Sequence, residues 1–552
     1  MTEPSNIASY LPRVAAEQPE ALAVAAPIGR GIAGRPRYRR LDYRELDQRS
    51  DRIAHGLTSV GIGKGVRTAL LVPPGLDFAA LAFAVLKAGA VPVLVDPGIG
   101  LRNIRGCLAT AEPEAFIGVP AAHLARLGLG WGRPSVRVFV TVGRRAPWGG
   151  YTLSEVEALG DGDGAAMAPT SRRDVAAIVF TSGSTGPPKG VVYTHGNFLA
   201  QLEAVRDLLG VTSADIDLPT FPLFALFDPA LGMATVIPRM DPTRPAKVDP
   251  RNIIDPINEF GITTMFGSPA LLDTVGRHGE RHGTRLPSLR RVVSAGAPVS
   301  PQIIERFLEM LPDGARILTP YGATESLPVA VISSHVILEE TGARTDSGAG
   351  VCVGRPVDSI ELAILPISDG PIPTWNADLA MPPGEIGEIV VKGPQVTTSY
   401  FRAPRHDELS KIADRDGSVR HRMGDLGYMD EEGRLWFVGR KSHRLETAAG
   451  PMFTVPCEAV FNTHPSVFRS ALVGVERGGE TVPVLCVELE PGVGRSQRSR
   501  VSAELEEIAA AHEHTRSIRH FLYHPGFPVD VRHNAKIGRA KLAVWASRRV
   551  KG

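Results

Sequence analysis

The densest concentration of chemistry in the 552-residue chain is Thr181-Ser182-Gly183-Ser184-Thr185-Gly186-Pro187-Pro188-Lys189-Gly190. Hydroxyl side chains and glycine backbone N–H groups in one turn can wrap the oxygens of an anion, and a lysine adds a point charge at the same place. That is phosphate-cradling chemistry. The spacing is not that of a Walker loop, because no Gly-Lys-Ser/Thr tripeptide follows at the required distance. A nucleophile elbow is excluded as well, since Ser182 stands where glycine should precede Ser184. About nine specified positions in ten residues set this segment apart from an ordinary flexible Gly/Ser turn.

Four further groups follow in order: Ser294-Ala295-Gly296-Ala297-Pro298, Tyr321-Gly322-Ala323-Thr324-Glu325, Arg422-Met423-Gly424-Asp425 with Gly439-Arg440, and Val531-Arg532-His533-Asn534-Ala535-Lys536-Ile537. Only ten of the 61 basic residues are lysine, so Lys189 and Lys536 stand out within their segments. In this order and company the sequence resembles the adenylate-forming superfamily of acyl-CoA synthetases, peptide-synthetase adenylation domains and luciferases, over nearly the whole chain. The loop 181–190 matches the family signature without a gap.

The resemblance implies ATP as co-substrate and Mg²⁺ as the metal. Thr181, Ser182, Gly183, Ser184, Thr185, Gly186 and Lys189 would hold phosphates, and Gly296, Ala297 and Pro298 would border adenine. Tyr321, with Gly322 and Ala323 behind it, would stack on the base. Thr324 would donate to the α-phosphate, and Glu325 would bind the metal, which usually takes one or two carboxylates plus phosphates and water. Asp425 would accept the ribose hydroxyls with Arg440 beside it. Lys536 matches the lysine that bridges carboxylate and α-phosphate, although Ala535 replaces the usual glycine. Thr185, Thr324, Glu325 and Lys536 are thus the residues expected at the reacting atoms, where fixed cations and donors stabilise developing charge.

The elements that must carry these groups alternate between helix and strand. Leu41 to Val60 has helical spacing, Thr68 to Val72 reads as a strand, Asp77 to Ala88 as a helix and Val91 to Val95 as a strand. Strand-like runs at Ala176 to Phe180, Thr263 to Phe266, Arg291 to Ser294 and Arg316 to Leu318 each enter a Gly- or Pro-rich turn, the place where α/β sheets bind ligands. After about Gly354 shorter strands predict a β-rich lobe. Beyond Gly439-Arg440 the pattern changes to a smaller α+β unit. The expected class is α/β: a large domain of layered sheets over 1–439, and a mobile C-terminal lid over 440–552 with its hinge near 440–442.

Composition narrows the partners. Lys+Arg 61 against Asp+Glu 59 leaves +2, too balanced for a chain that grips nucleic acid through a basic face. Four scattered cysteines make neither a disulfide framework nor a zinc site. The most apolar stretch, Thr68 to Asp96, is interrupted by Pro73, Pro74, Asp77, Lys87 and Pro92, so no membrane span is expected. The N-terminus lacks a signal or transit pattern, which leads to a cytoplasmic expectation.

Two departures separate the chain from an ordinary CoA ligase. Ala225 replaces the histidine of the family's Pro-Leu-Phe-His, and Ser442 replaces a common Asp or Lys of the hinge. The fuller strings 221–232 and 531–539 resemble one subgroup, the β-lactone synthetases of bacterial long-chain olefin biosynthesis. This implies a 2-alkyl-3-hydroxy fatty acid that is adenylated and then closed by its own hydroxyl, which is tethered at high effective concentration. A thiolase-like condensing enzyme, a reductase and a β-lactone decarboxylase would be the pathway partners. Phe221, Phe224, Phe227, Met233, Met265 and Phe266 are candidate walls for alkyl chains. His195 leans to a structural role, and His443 and His533 are the alternative bases for the hydroxyl, without preference between them. A fatty acyl-CoA or acyl-AMP ligase, and a non-catalytic nucleotide-binding protein on the same fold, are the competing expectations.

Overall fold

The computed structural model describes residues 5–30, 36–145, 147–160, 166–181, 188–221, 227–529 and 537–550, with the backbone alone for Arg30, Pro97 and Thr181. Strands Tyr151–Thr152, Val138–Thr141, Ala115–Gly118, Arg67–Leu71, Val91–Val95 and Val175–Thr181 lie side by side in parallel, and Lys189–Thr194 closes that edge antiparallel. The β-α-β rhythm of the sequence is therefore a parallel sheet with helices in its connections. Helix Leu76–Lys87 is apolar nearly all round because it is buried nearly all round. Its one internal cation, Lys87, is 1% exposed and donates to Asp47 at 2.6 Å and Asp51 at 2.7 Å.

A second, larger sheet begins with Pro36–Asp42 and Leu22–Arg30 and continues through the parallel strands Ala234–Val236, Ile216–Pro219, Thr264–Phe266, Arg291–Val293 and Arg316–Ala323. Helices Arg251–Phe260, Pro269–His282 and Pro301–Leu308 pack apolar faces onto it, Ile253, Ile257, Leu272, Val275, Ile304 and Phe307 all being buried. Two of these helices start alike: Ser268 and Ser300 accept N–H bonds as caps, and a proline occupies the first turn.

Strand Arg316–Ala323 turns back into Ser326–Ser333, and from there antiparallel strands Val351–Pro356, Leu435–Arg440, Val419–Met429, Gly387–Lys392 and Glu361–Leu365 extend the same sheet. The expected β-rich lobe exists, and it is sewn to the parallel sheet through this one hairpin. After Arg440 come a small hairpin, Leu445–Thr447 with Gly450–Met452, and a three-stranded sheet of Val467–Arg477, Glu480–Leu489 and His520–Tyr523. Helices Thr454–Asn462 and Arg498–Ala511 cover one face of that sheet and Arg539–Ser547 the other, giving the small C-terminal α+β unit two separate cores. All four cysteines are free and buried.

Candidate active site

Thr181 ends strand Val175–Thr181 and faces Lys189, which opens the returning strand Lys189–Thr194. The phosphate-type loop is therefore the connection of a β-hairpin at the sheet's edge. Ser182, Gly183, Ser184, Thr185 and Gly186 lie outside the described residues, as do Phe224, Ala225, His533 and Lys536.

Across from this hairpin, Thr324 and Glu325 form the tip between Arg316–Ala323 and Ser326–Ser333, with Ala323 paired to Ser326. Gly322 is required there, since a Cβ would sit 2.7 Å from both the Ser326 carbonyl and the Leu327 side chain. One strand away, Gly296 has φ 95°, a left-handed turn that L side chains resist, and it follows the end of strand Arg291–Val293, which pairs with Arg316–Ala323. These groups share the carboxyl end of neighbouring parallel strands, where such sheets bind ligands.

Two contacts join the sheets at this point. The Tyr193 hydroxyl donates to the Thr324 carbonyl, and the segment 397–401 is bonded to both sides. Val192 N–H donates to Ser399 O at 3.1 Å and Phe401 N–H to Gly190 O at 2.7 Å. On the other side Thr397 gives its N–H to Glu325 O at 2.9 Å and its hydroxyl to the same oxygen at 3.2 Å. Tyr400 donates to Glu325 Oε1 at 2.6 Å, and its ring lies 5.3 Å from the Lys189 ammonium and 5.5 Å from that of Lys411.

Asp425, 5% exposed, sits directly across from Arg440 on the adjacent strand. Tyr321 Oη donates to its Oδ2 at 2.7 Å, and Arg440 Nη1 lies 3.0 Å from Oδ1. Burial, then the Asp425 charge, pushes the Tyr321 phenol far above its ordinary range. The same carboxylate holds Arg440 firmly protonated. Behind them Arg422 and Glu388 form a buried two-point ion pair at 2.9 and 2.8 Å, and Lys441 adds a third contact to Glu388 at 3.0 Å.

Lys189 and Lys411 flank the Tyr400 ring, and Arg440 faces Asp425 close by. Burial draws Lys411 down to about 8, against the pull of Glu325 and Asp407. His421 is held neutral by burial and by Lys411, Lys189 and Arg440 around it. A polyanion would be welcome in such surroundings. For a divalent metal the donor set is one hard carboxylate: Tyr400 occupies Oε1 of Glu325, and Oε2 has no hydrogen-bond partner among the described residues. No group of three or more His, Cys, Asp or Glu side chains poised for a metal occurs among those residues. This fits Mg²⁺ held by one carboxylate together with phosphate oxygens, and it does not fit an all-protein cage.

The structure thus brings together Tyr321, Asp425 and Arg440, and, in a second knot, Lys189, Thr324 and Glu325. Thr397, Tyr400 and Lys411 are not singled out by the sequence; the scarcity of lysine is the one signal that could have marked Lys411. Among the proposed walls, Met233 and Met265 are 1% and 0% exposed and belong to packed cores. Phe221 and Phe266 pair at 6.4 Å, and Phe227 packs on Phe198 at 6.0 Å. His195 is buried at the start of helix His195–Leu209 and pushed down to about 4 by burial, with Asp174 and Lys64 as its charged neighbours. His443 is also lowered to about 4, by burial and then by Arg539 and Arg440.

At the root of the segment that contains Lys536, Val529 bridges Ile537 and Gly538 N–H donates to Pro528 O at 2.7 Å. Arg539 then forks onto Glu458, with Nη2 to Oε2 at 2.8 Å, while Glu458 also accepts the Leu472 N–H.

Residues 11–401 match the AMP-binding enzyme family. The chain is 52% identical to the olefin beta-lactone synthetase of Xanthomonas campestris pv. campestris, over 99% of this chain and 98% of that protein. It is also 52% identical to the olefin beta-lactone synthetase of Stenotrophomonas maltophilia, over 99% of each. Among solved structures, the amide bond synthetase McbA from Marinactinospora thermotolerans superposes with TM-score 0.78 at 22% identity, covering 98% of this chain and 99% of McbA. The o-succinylbenzoate coenzyme A synthetase MenE from Bacillus subtilis, solved with ATP and magnesium ion, does so with TM-score 0.73 at 21% identity, covering 98% of this chain and 100% of MenE. The fold is shared with these structures. With a family match over most of its length and relatives of this identity along all of it, the chain belongs to the AMP-binding enzymes.

Proposed function

We propose that this chain is an ATP-dependent, AMP-forming β-lactone synthetase acting on a long-chain 2-alkyl-3-hydroxy acid. The observation that carries this reading is end-to-end identity of 52% to two proteins of that name. The chemistry has two steps. A carboxylate oxygen of the acid attacks the α-phosphorus of ATP, the bond to the β-phosphate breaks, and pyrophosphate leaves. The 3-hydroxyl oxygen then bonds to the acyl carbon, the acyl–phosphate bond breaks, AMP leaves, and the hydroxyl proton passes to a base. No second acceptor is needed, because the nucleophile is already attached.

In this reading Tyr321 borders adenine, Asp425 and Arg440 hold the ribose, and Thr324 donates to the α-phosphate. Lys189 and the hydroxyl-rich loop cradle the outer phosphates, with Lys536 bridging carboxylate and phosphate when 440–552 closes on 1–439. Mg²⁺ bound at Glu325 supplies charge neutralisation for the phosphates. The Phe221–Phe266 pair borders one alkyl chain. A reductase that makes the 3-hydroxyl and a decarboxylase that consumes the lactone are the neighbouring reactions, with the cytoplasm as the common compartment. No helix among the described residues is long and apolar enough to cross a membrane.

Incubation with ATP, Mg²⁺ and a synthetic 2-alkyl-3-hydroxy acid, without CoA, tests the reading. AMP and a β-lactone are expected, detected by NMR or direct-injection mass spectrometry. AMP release that requires CoA and yields a thioester would overturn it in favour of an acyl-CoA ligase.

A further inference from the structure

Tyr400 stands 75 residues from Glu325 in sequence, yet its hydroxyl donates to one carboxylate oxygen at 2.6 Å. A short bond to a charged acceptor is among the stronger hydrogen bonds a protein makes. The phenol is also rigidly mounted. Tyr400 is 5% exposed, its N–H donates to Asp407 at 2.8 Å, and its backbone bridges Val191. The next residue donates to Gly190 O at 2.7 Å. With the backbone fixed and only two side-chain torsions to order, the hydroxyl position is set by the hairpin that also carries Lys189.

Lys411 tightens the same arrangement. Its ammonium donates to Thr397 O at 2.5 Å, with the Thr397 hydroxyl at 3.4 Å, and rests 5.5 Å from the Tyr400 ring. Thr397 in turn gives two bonds to the Glu325 carbonyl. Main chain and side chain of Glu325 are thus gripped from one short segment, and that segment is pinned to the phosphate-type hairpin. A phenylalanine would fill the Tyr400 space equally well, so packing alone does not account for a buried phenol facing a carboxylate.

We infer that Tyr400, steadied by Lys411, is a positioning residue that fixes the Glu325 carboxylate so that its free oxygen meets the metal on the nucleotide's phosphates. The inference rests on Glu325 being the metal ligand, as proposed above. Partners that orient a metal-binding carboxylate typically change metal affinity about 10- to 100-fold when removed.

The test is the metal requirement of the full-length enzyme. Mn²⁺ binding to the enzyme–ATP complex is followed by electron paramagnetic resonance, and the Mg²⁺ concentration giving half-maximal ATP–pyrophosphate exchange is measured in parallel, for Tyr400→Phe, Lys411→Met and Glu325→Gln. Tyr400→Phe is expected to weaken metal binding by about tenfold or more, with exchange largely restored at saturating Mg²⁺ and the unfolding midpoint kept. Lys411→Met should shift it the same way by about threefold, the size of a lost cation–π contact, and it carries the test if Tyr400→Phe folds poorly. Should Glu325→Gln raise the requirement while Tyr400→Phe and Lys411→Met leave it unchanged, the positioning role is overturned and the metal reading survives. If Glu325→Gln leaves it unchanged too, the metal reading itself falls, and this role with it.

Discussion

Tyr321 and Asp425, 104 residues apart in sequence, are joined by a 2.7 Å hydrogen bond from phenol to carboxylate. Arg440 faces the other oxygen of the same carboxylate at 3.0 Å. One acidic group therefore organises the base side and the sugar side of the proposed nucleotide pocket before any ligand arrives. Asp425→Asn leaves the Arg440 charge with a neutral neighbour and removes the acceptor proposed for the ribose. KM for ATP in pyrophosphate exchange should rise about 10- to 100-fold, as expected for hydrogen bonds to charged groups. Tyr321→Phe, which deletes one donor and keeps the ring, should cost less. A larger effect from Tyr321→Phe than from Asp425→Asn contradicts this ranking.

Lys536→Ala addresses the first chemical step. A cation that meets charge only as it develops contributes to turnover and little to ground-state binding. Exchange should drop by about 100-fold or more while the Kd for ATP, read by calorimetry, stays within a few fold. Unchanged exchange removes Lys536 from the reaction.

Acid should destabilise the fold through its buried histidines. His195 is held at about 4 by burial and is 1% exposed, and its unfolded value lies near 6.5. Between those values the unfolded chain binds the extra proton and the folded chain does not. Stability is thus complete above about pH 6.5 and declines as pH falls toward 4, by up to about 3 kcal/mol at 1.36 kcal/mol per unit. His443 adds loss in the same window. The melting temperature should therefore fall from pH 7 to pH 5, and His195→Gln should flatten that slope. An identical slope in the variant would show that the proton goes elsewhere.

The Arg539–Glu458 fork secures the C-terminal unit at the root of the Lys536 segment, with side chains only 14% and 10% exposed. Arg539→Leu alone leaves a buried carboxylate unpaired, a defect worth about 3–5 kcal/mol. Pairing it with Glu458→Leu should recover part of that loss. Fluorescence of Trp545, carried on helix Arg539–Ser547, reports the unfolding. Equal stability of the single variant and the wild type would mean the pair is solvated.

Where local pattern determined structure, the sequence was readable. The strand read at Thr68 to Val72 is found at Arg67–Leu71, and that at Val91 to Val95 is found unchanged, because a continuous apolar run bounded by turns has few alternatives inside a parallel sheet. The run Arg316 to Leu318 proved to be an eight-residue strand, Arg316–Ala323. Pro320 and Gly322 look like turn residues by composition, and they are tolerated here because the strand is leaving the sheet core toward the site. That extension is what binds the β-rich lobe to the parallel sheet. In Val467–Arg477 the apolar signal is confined to the centre, because Arg469, Ser470, Glu476 and Arg477 dilute it toward the ends. Single-letter motifs located Asp425, Arg440, Glu325 and Lys189 without saying what touches them. The Tyr400–Glu325 bond and the Lys411–Thr397 bond were invisible, because each depends on chain segments that only the folded topology brings side by side.

The buried knot of Arg422, Glu388 and Lys441 has a mechanical meaning. Lys441 is tied to the β-rich lobe through Glu388 and the Ser368 carbonyl, and Arg444 reaches Asp369 of the same lobe at 2.7 Å. If the C-terminal unit swings as proposed above, these anchors hold the junction, so that the clasp of Asp425 and Arg440 can stay still.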